Sequence, residues 1–166
     1  MDEVIEEFVH WCITNGWTVK KSNTVNMFPV KITQRYPRAL ASDYAYFVKL
    51  FAECVTNDRQ SWFLCEEDYE IDSNEVDFGW NNMEYIELLA AEDDDERIDI
   101  QHWWDDNLPI FISVRDGYSH FSLSLKDDSF GQIFEGYEPM FEETIKVADS
   151  FEDFLRNIMN RKIDFS

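Results

Sequence analysis

Apolar side chains at Val4, Ile5, Phe8, Val9, Trp11 and Cys12 fall on one broad helical stripe, and Asn15-Gly16 supplies a stop. Residues 3–15 therefore read as a first helix. Alternation from Thr24 to Ile32, carried by Val25, Met27, Val30 and Ile32, predicts a short strand or strand pair that Pro29 confines to an edge or breaks. Beyond Tyr36-Pro37, Ser42-Asp43 opens a second helix with Tyr44, Phe47, Val48, Phe51 and Cys54 on its face and Asn57-Asp58 at its end. Ser61-Trp62-Phe63-Leu64-Cys65 is too short and too apolar for a surface helix and reads as a strand.

Met83, Ile86, Leu89 and Ala90 have helical spacing, which predicts a helix over 82–91 with its acids turned outward and a loop over Glu92 to Glu96. Ile98, His102, Trp103 and Asp106 belong to a further helical segment that ends at Asn107-Leu108-Pro109. Residues 110–135 read as a meander. Ile110 and Ile112 begin a strand, Asp116-Gly117 turns it, and Phe121, Leu123 and Leu125 alternate with Ser122 and Ser124 on the return. Those serines predict a sheet face that is partly wet. After a turn at Lys126-Asp127-Asp128-Ser129, Phe130 to Glu135 forms the next strand. Ser150 caps a last helix from Phe151 to Met159, with Asp153 completing an approximate capping box and Phe151, Phe154, Leu155 and Ile158 on the buried face. Helices at both ends and the middle, with hairpins late in the chain, predict an α+β fold: a mixed, largely antiparallel sheet flanked by helices. The 166 residues fit one domain, and no internal repeat or linker divides positions 1–166.

Composition changes this picture in one respect. Apolar types make up 45% and aromatics 16%, ample for a core, but 35 Asp and Glu stand against 14 Lys and Arg, a formal net charge of -21. From Gln60 to Glu96 there is no basic residue at all. Such a surface repels phosphate backbones and anionic lipid, which argues against nucleic acid or membrane as a partner. It attracts basic proteins, with encounter rates raised roughly 10 to 1,000 fold at low salt, although acidity also serves solubility alone. The acidic start Met1-Asp2-Glu3 lacks the positive flank of a signal peptide, and no stretch approaches the roughly 18 to 20 apolar residues of a membrane span, so a cytoplasmic location is expected. Cys12, Cys54 and Cys65 are too few for a disulfide framework and read as buried free thiols.

Candidate chemistry is sparse. His10, His102 and His120 show no zinc spacing with one another or with the cysteines. The five glycines form neither a dinucleotide fingerprint nor a phosphate loop, and Asp93-Asp94-Asp95 lacks the central Gly and terminal Glu of a calcium loop. No serine sits in a nucleophile elbow. No catalytic residue, metal site or cofactor is expected. Adjacent Trp103 and Trp104 cannot face the same side of a helix, so one of them is a candidate surface anchor beside the acids.

Several short segments together resemble the SMI1/KNR4, or SUKH, superfamily. They are Ser61-Trp62-Phe63-Leu64, Phe78-Gly79-Trp80-Asn81, Trp103-Trp104 before Leu108-Pro109-Ile110, Gly117-Tyr118, Gly131-Gln132-Ile133-Phe134 before Gly136, and Ala148-Asp149-Ser150-Phe151-Glu152-Asp153-Phe154-Leu155. The likeness runs over roughly residues 36–160. Tyr36-Pro37 with Ser42-Asp43-Tyr44 only loosely follows the family's entry into its early helix, and Thr56-Asn57-Asp58 stands where the family has Asn-Gly-Gly. The resemblance implies a SUKH-like α+β domain without enzyme activity. Bacterial relatives are immunity proteins that neutralise a cognate toxin, often a nuclease; fungal relatives are regulatory scaffolds. The expected role is thus an immunity protein whose acidic surface binds a cognate protein toxin with a basic surface, the alternative being a non-catalytic regulator with an endogenous partner. Candidate contacts are Glu66, Glu67, Asp68, Glu92, Asp93, Asp94, Asp95 and Trp104.

Overall fold

The computed structural model describes residues 1–23, 27–71 and 77–165. In chain order the elements are α1 (Asp2–Thr14), β1 (Thr18–Lys21), α2 (Val30–Arg35), a 3-10 helix (Pro37–Ala41), α3 (Asp43–Leu50), β2 (Phe51–Val55), β3 (Ser61–Phe63), α4 (Glu66–Glu70), α5 (Asn82–Ala90), α6 (Asp94–Asp106), β4 (Asn107–Ser113), β5 (Ser119–Ser124), β6 (Ile133–Tyr137), β7 (Met140–Ala148) and α7 (Phe151–Met159). The chain is an α+β domain. Its seven described strands lie in one antiparallel sheet in sequence order, so each strand pairs with its predecessor and no crossover is needed.

β4 and β5 are buried over their whole length, which requires cover on both faces. On one face Phe63, Phe111 and Phe121 meet Phe8 of α1, Phe47 of α3 and Phe151 and Phe154 of α7, with ring centroids 4.8–6.4 Å apart. On the other, His120, next in sequence to Phe121 and so pointing the opposite way, packs under Trp103 and Trp104 of α6. Ser122 and Ser124 are buried on this second face, not wet, because the long insertion between β3 and β4 folds back over it.

Local signals set the elements at the two ends. Asn15 N–H donates to the carbonyls of Trp11 and Cys12, and Gly16 takes φ +78°, the left-handed stop expected of it. Ser150 Oγ accepts from Asp153 N at 3.1 Å, and the four apolar residues named for α7 are its buried ones.

Several boundaries differ from the sequence reading. Val30 and Ile32 lie in helix α2, not a strand; Thr24, Val25 and Asn26 lie outside the described residues. The second helix ends at Leu50, and Phe51 and Cys54 belong to β2, where Cys54 pairs with Val19 of β1. Phe47 and Phe51 meet, ring centroids 4.7 Å apart, as i and i+4 of a continuous helix also would, so spacing did not reveal the break. β7 extends the sheet beyond the predicted meander. Cys12, Cys54 and Cys65 are buried and free, and no described helix is long and apolar enough to cross a membrane.

Candidate functional site

α5 buries Met83 as its spacing predicts, but the rest of its predicted apolar face is turned outward. Met83, Glu84 and Glu87 are buried, whereas Ile86 and Leu89 are 39% and 67% exposed. A carboxylate tolerates burial only when its oxygens are partnered, and both have partners from distant segments. Arg35 of α2 grips Glu84 through two parallel bonds of 2.7 and 2.8 Å, and its Nε reaches Asp105 of α6 at 2.8 Å. Burial is the largest influence and opposes the guanidinium charge, but the bonds to Glu84 and Asp105 and the nearby Tyr36 and Glu84 charges together hold the Arg35 pKa above its ordinary value.

Glu87 accepts from Trp104 Nε1 at 2.6 Å and from the backbone N–H of Glu142 at 3.2 Å. Burial first, and then the Glu142 carboxyl beside it, push its pKa up to about 8. His120, below the same tryptophan, donates from Nε2 to Phe141 O at 2.9 Å, and burial lowers its pKa to about 4. The cluster lines none of the described cavities. It clamps α5 and α6 to the sheet.

The outward result is a surface of a different character. Tyr85, Ile86 and Leu89 face solvent along α5, and at its start Phe78 is 43% exposed. Between α5 and the β4–β5 hairpin runs a groove of about 590 Å³ walled by Phe78, Tyr85, Ile86, Val114 and Tyr118, with Asp77 and Glu138 also lining it. Phe78 holds φ +60°, a conformation that costs a residue with a side chain roughly 1–2 kcal/mol. Its ring meets Tyr118 edge-on at 5.1 Å, and Tyr118 meets Phe141 at 5.2 Å. The Tyr118 hydroxyl is buried without a hydrogen-bond partner.

The predicted contact residues fall into three groups. Glu92, Asp93, Asp94 and Asp95 are exposed where α5 hands over to α6. The expected loop over 92–96 is mostly the first turn of α6: Asp93 Oδ1 accepts from Glu96 N at 2.9 Å as its N-cap, Glu96 Oε2 accepts from Glu92 N at 2.6 Å, and acids are favoured at a helix N-terminus. Arg97 ties this turn to the Leu88 carbonyl of α5. Glu66, Glu67 and Asp68 sit on α4, and of the three only Glu67 is exposed; Asp68 Oδ2 accepts from Cys65 N at 2.7 Å, and burial raises its pKa to about 6. Glu67 and Asp68 line a separate cavity with residues of β2 and β3. Trp104 is 1% exposed and committed to Glu87, so it is no surface anchor.

Sequence reasoning missed Glu84, Glu87, Phe78 and Tyr118. The only local signal was that Met83, Glu84 and Glu87 share a helical face as well as Met83 and Ile86 do. Among the described residues no group of three or more His, Cys, Asp or Glu is placed to hold a metal ion. Compared with known proteins, the chain matches no family model, and no curated protein or solved structure is significantly similar to it.

Proposed function

We propose that the chain is a protein-binding domain of the immunity type, which captures a cognate toxin carrying a basic surface and blocks it. Two features of the chain support this reading: the segmental resemblance to SUKH immunity proteins, and the net charge of -21. The observation that carries it is the run Glu92 to Glu96, exposed throughout and held in one conformation by its own capping bonds. A charged surface fixed in this way steers a basic partner without first having to be ordered. A toxin that acts on nucleic acid must attract phosphate, and the same surface is attracted to a dense row of carboxylates.

The test is co-expression with the toxins encoded beside the gene, scored by survival and by recovery of the complex. Neutralisation of one of them supports the proposal; survival unchanged with every one, and no complex, overturns it. In the supporting case, Glu92→Gln, Asp94→Asn and Asp95→Asn together, which leave Asp93 and Glu96 to cap α6, slow association about tenfold or more at low salt and flatten its salt dependence.

A further inference from the structure

We infer that the groove between α5 and the β4–β5 hairpin is the anchor point of this surface and takes a long cationic side chain, arginine or lysine, from a basic protein partner. The inference rests on the protein-binding reading above.

Three observations converge on the groove. Its walls are aromatic and aliphatic, Phe78, Tyr85, Ile86, Val114 and Tyr118, while among the described residues the only charged ones lining it are the acids Asp77 and Glu138. That combination suits a side chain with an apolar stem and a cationic head, which lays its methylenes on the rings and its charge on the carboxylates. Phe78 is kept in the left-handed region with 43% of its surface exposed and its ring edge-on to Tyr118. Backbone strain of this kind persists where the surrounding structure uses the side chain it presents.

The neighbourhood supplies the rest of an interface. Leu89, 67% exposed, continues the apolar ridge along α5 and leads to the acids at Glu92–Asp95. An apolar centre with a charged margin is the usual anatomy of a contact surface, the centre governing lifetime and the margin governing encounter. The acids named from the sequence are on this account the margin, and the groove is the centre.

The probe is a basic amphipathic helical peptide of leucine and arginine, titrated into the full isotope-labelled chain and followed through its amide shifts. Two control peptides go with it, one with citrulline for arginine and one with serine for leucine. Expected are saturable shifts at Tyr85, Ile86, Val114, Gly117 and Tyr118, with weaker binding of both controls. Phe78→Gly removes the ring while relieving the strained φ, and Glu138→Gln removes one charge but keeps an acceptor for the Tyr118 N–H. Each is expected to weaken the peptide about tenfold with the fold intact. Equal binding by Phe78→Gly, Glu138→Gln and the parent chain, with shifts confined to Glu92–Asp95, overturns the groove and leaves capture by charge standing. Equal binding of the citrulline peptide overturns the cationic part. No binding of any peptide overturns the groove as an anchor for a basic amphipathic partner, while the co-expression test decides the wider reading separately.

Discussion

Trp104 Nε1 lies 2.6 Å from Glu87 Oε2, so a buried indole donor and a buried carboxyl satisfy each other across the α5–α6 contact. The pair explains both departures on this side of the sheet. It turns Glu87 inward, which sends Ile86 and Leu89 outward, and it consumes the tryptophan whose position beside the acids suggested a surface anchor.

The pairing makes stability depend on pH in a defined direction. The folded chain keeps the Glu87 proton up to about 8, whereas an unfolded chain releases it near the ordinary carboxyl value of 4.5. This group's contribution is therefore complete below about 4.5 and is lost as pH rises through about 8. Asp68, raised to about 6, acts in the same sense but has ionised by neutrality; His120, lowered to about 4, costs stability only as pH falls below its ordinary 6.5. Urea unfolding between about pH 7 and 8, below the range where the buried thiols Cys54 and Cys65 ionise on unfolding, thus reads mainly Glu87. Glu87→Gln is expected to flatten the decline and to gain about 1–3 kcal/mol on the parent chain at the alkaline end. Parallel curves would remove Glu87 as the titrating group.

Trp104→Phe keeps an aromatic body but withdraws the indole N–H from Glu87. A loss of about 2–4 kcal/mol in denaturant unfolding is expected, from the unsatisfied carboxyl and the space left by the smaller ring. A change below about 0.5 kcal/mol would show that the carboxyl finds another donor.

The Arg35–Glu84 clamp predicts non-additivity. Arg35→Met strands Glu84, which is 9% exposed, and is expected to cost about 2–4 kcal/mol; adding Glu84→Gln should recover at least about 1 kcal/mol of it. Arg35→Lys cannot reproduce the two-pronged grip and should fall between the parent chain and Arg35→Met. Equilibrium unfolding of the four members of the cycle checks this, and strict additivity would mean the two residues act independently.

Gly136 faces the His120 ring. A Cβ there would come within 2.2 Å of Phe141 O and 2.5 Å of His120 Nε2, the two atoms joined by the 2.9 Å bond across β6. Gly136→Ala is expected to destabilise by about 1–3 kcal/mol or more, since a backbone carbonyl has to move. A thermal melt unchanged within a degree would contradict that close approach.

How much of this was legible in the sequence varied with the distance over which each feature is decided. α1, α7 and the β4–β5 hairpin were readable because caps, stops, turn residues and apolar periodicity all lie within a few positions of one another. The end of α3 was not, because a helix and a strand at Phe51–Val55 both bury Phe51 and Cys54, and only pairing with β1 decides between them. The cap Asp93-x-x-Glu96 was visible in principle, but inside a run of five acids it read as a solvated loop.

By itself, then, the sequence determined the α+β class, the excess of acid and the presence of an uncovered acidic stretch at residues 92–96, since these follow from composition and from contacts between near neighbours. Tertiary structure alone decided which side of α5 meets the sheet. Arg35, Trp104 and the Glu142 backbone lie respectively 49 residues before Glu84 and 17 and 55 residues after Glu87, and they make two buried carboxyls tolerable. With those partners in place the acids of the helix go in, the isoleucine and leucine come out, and the acidic surface gains an apolar centre.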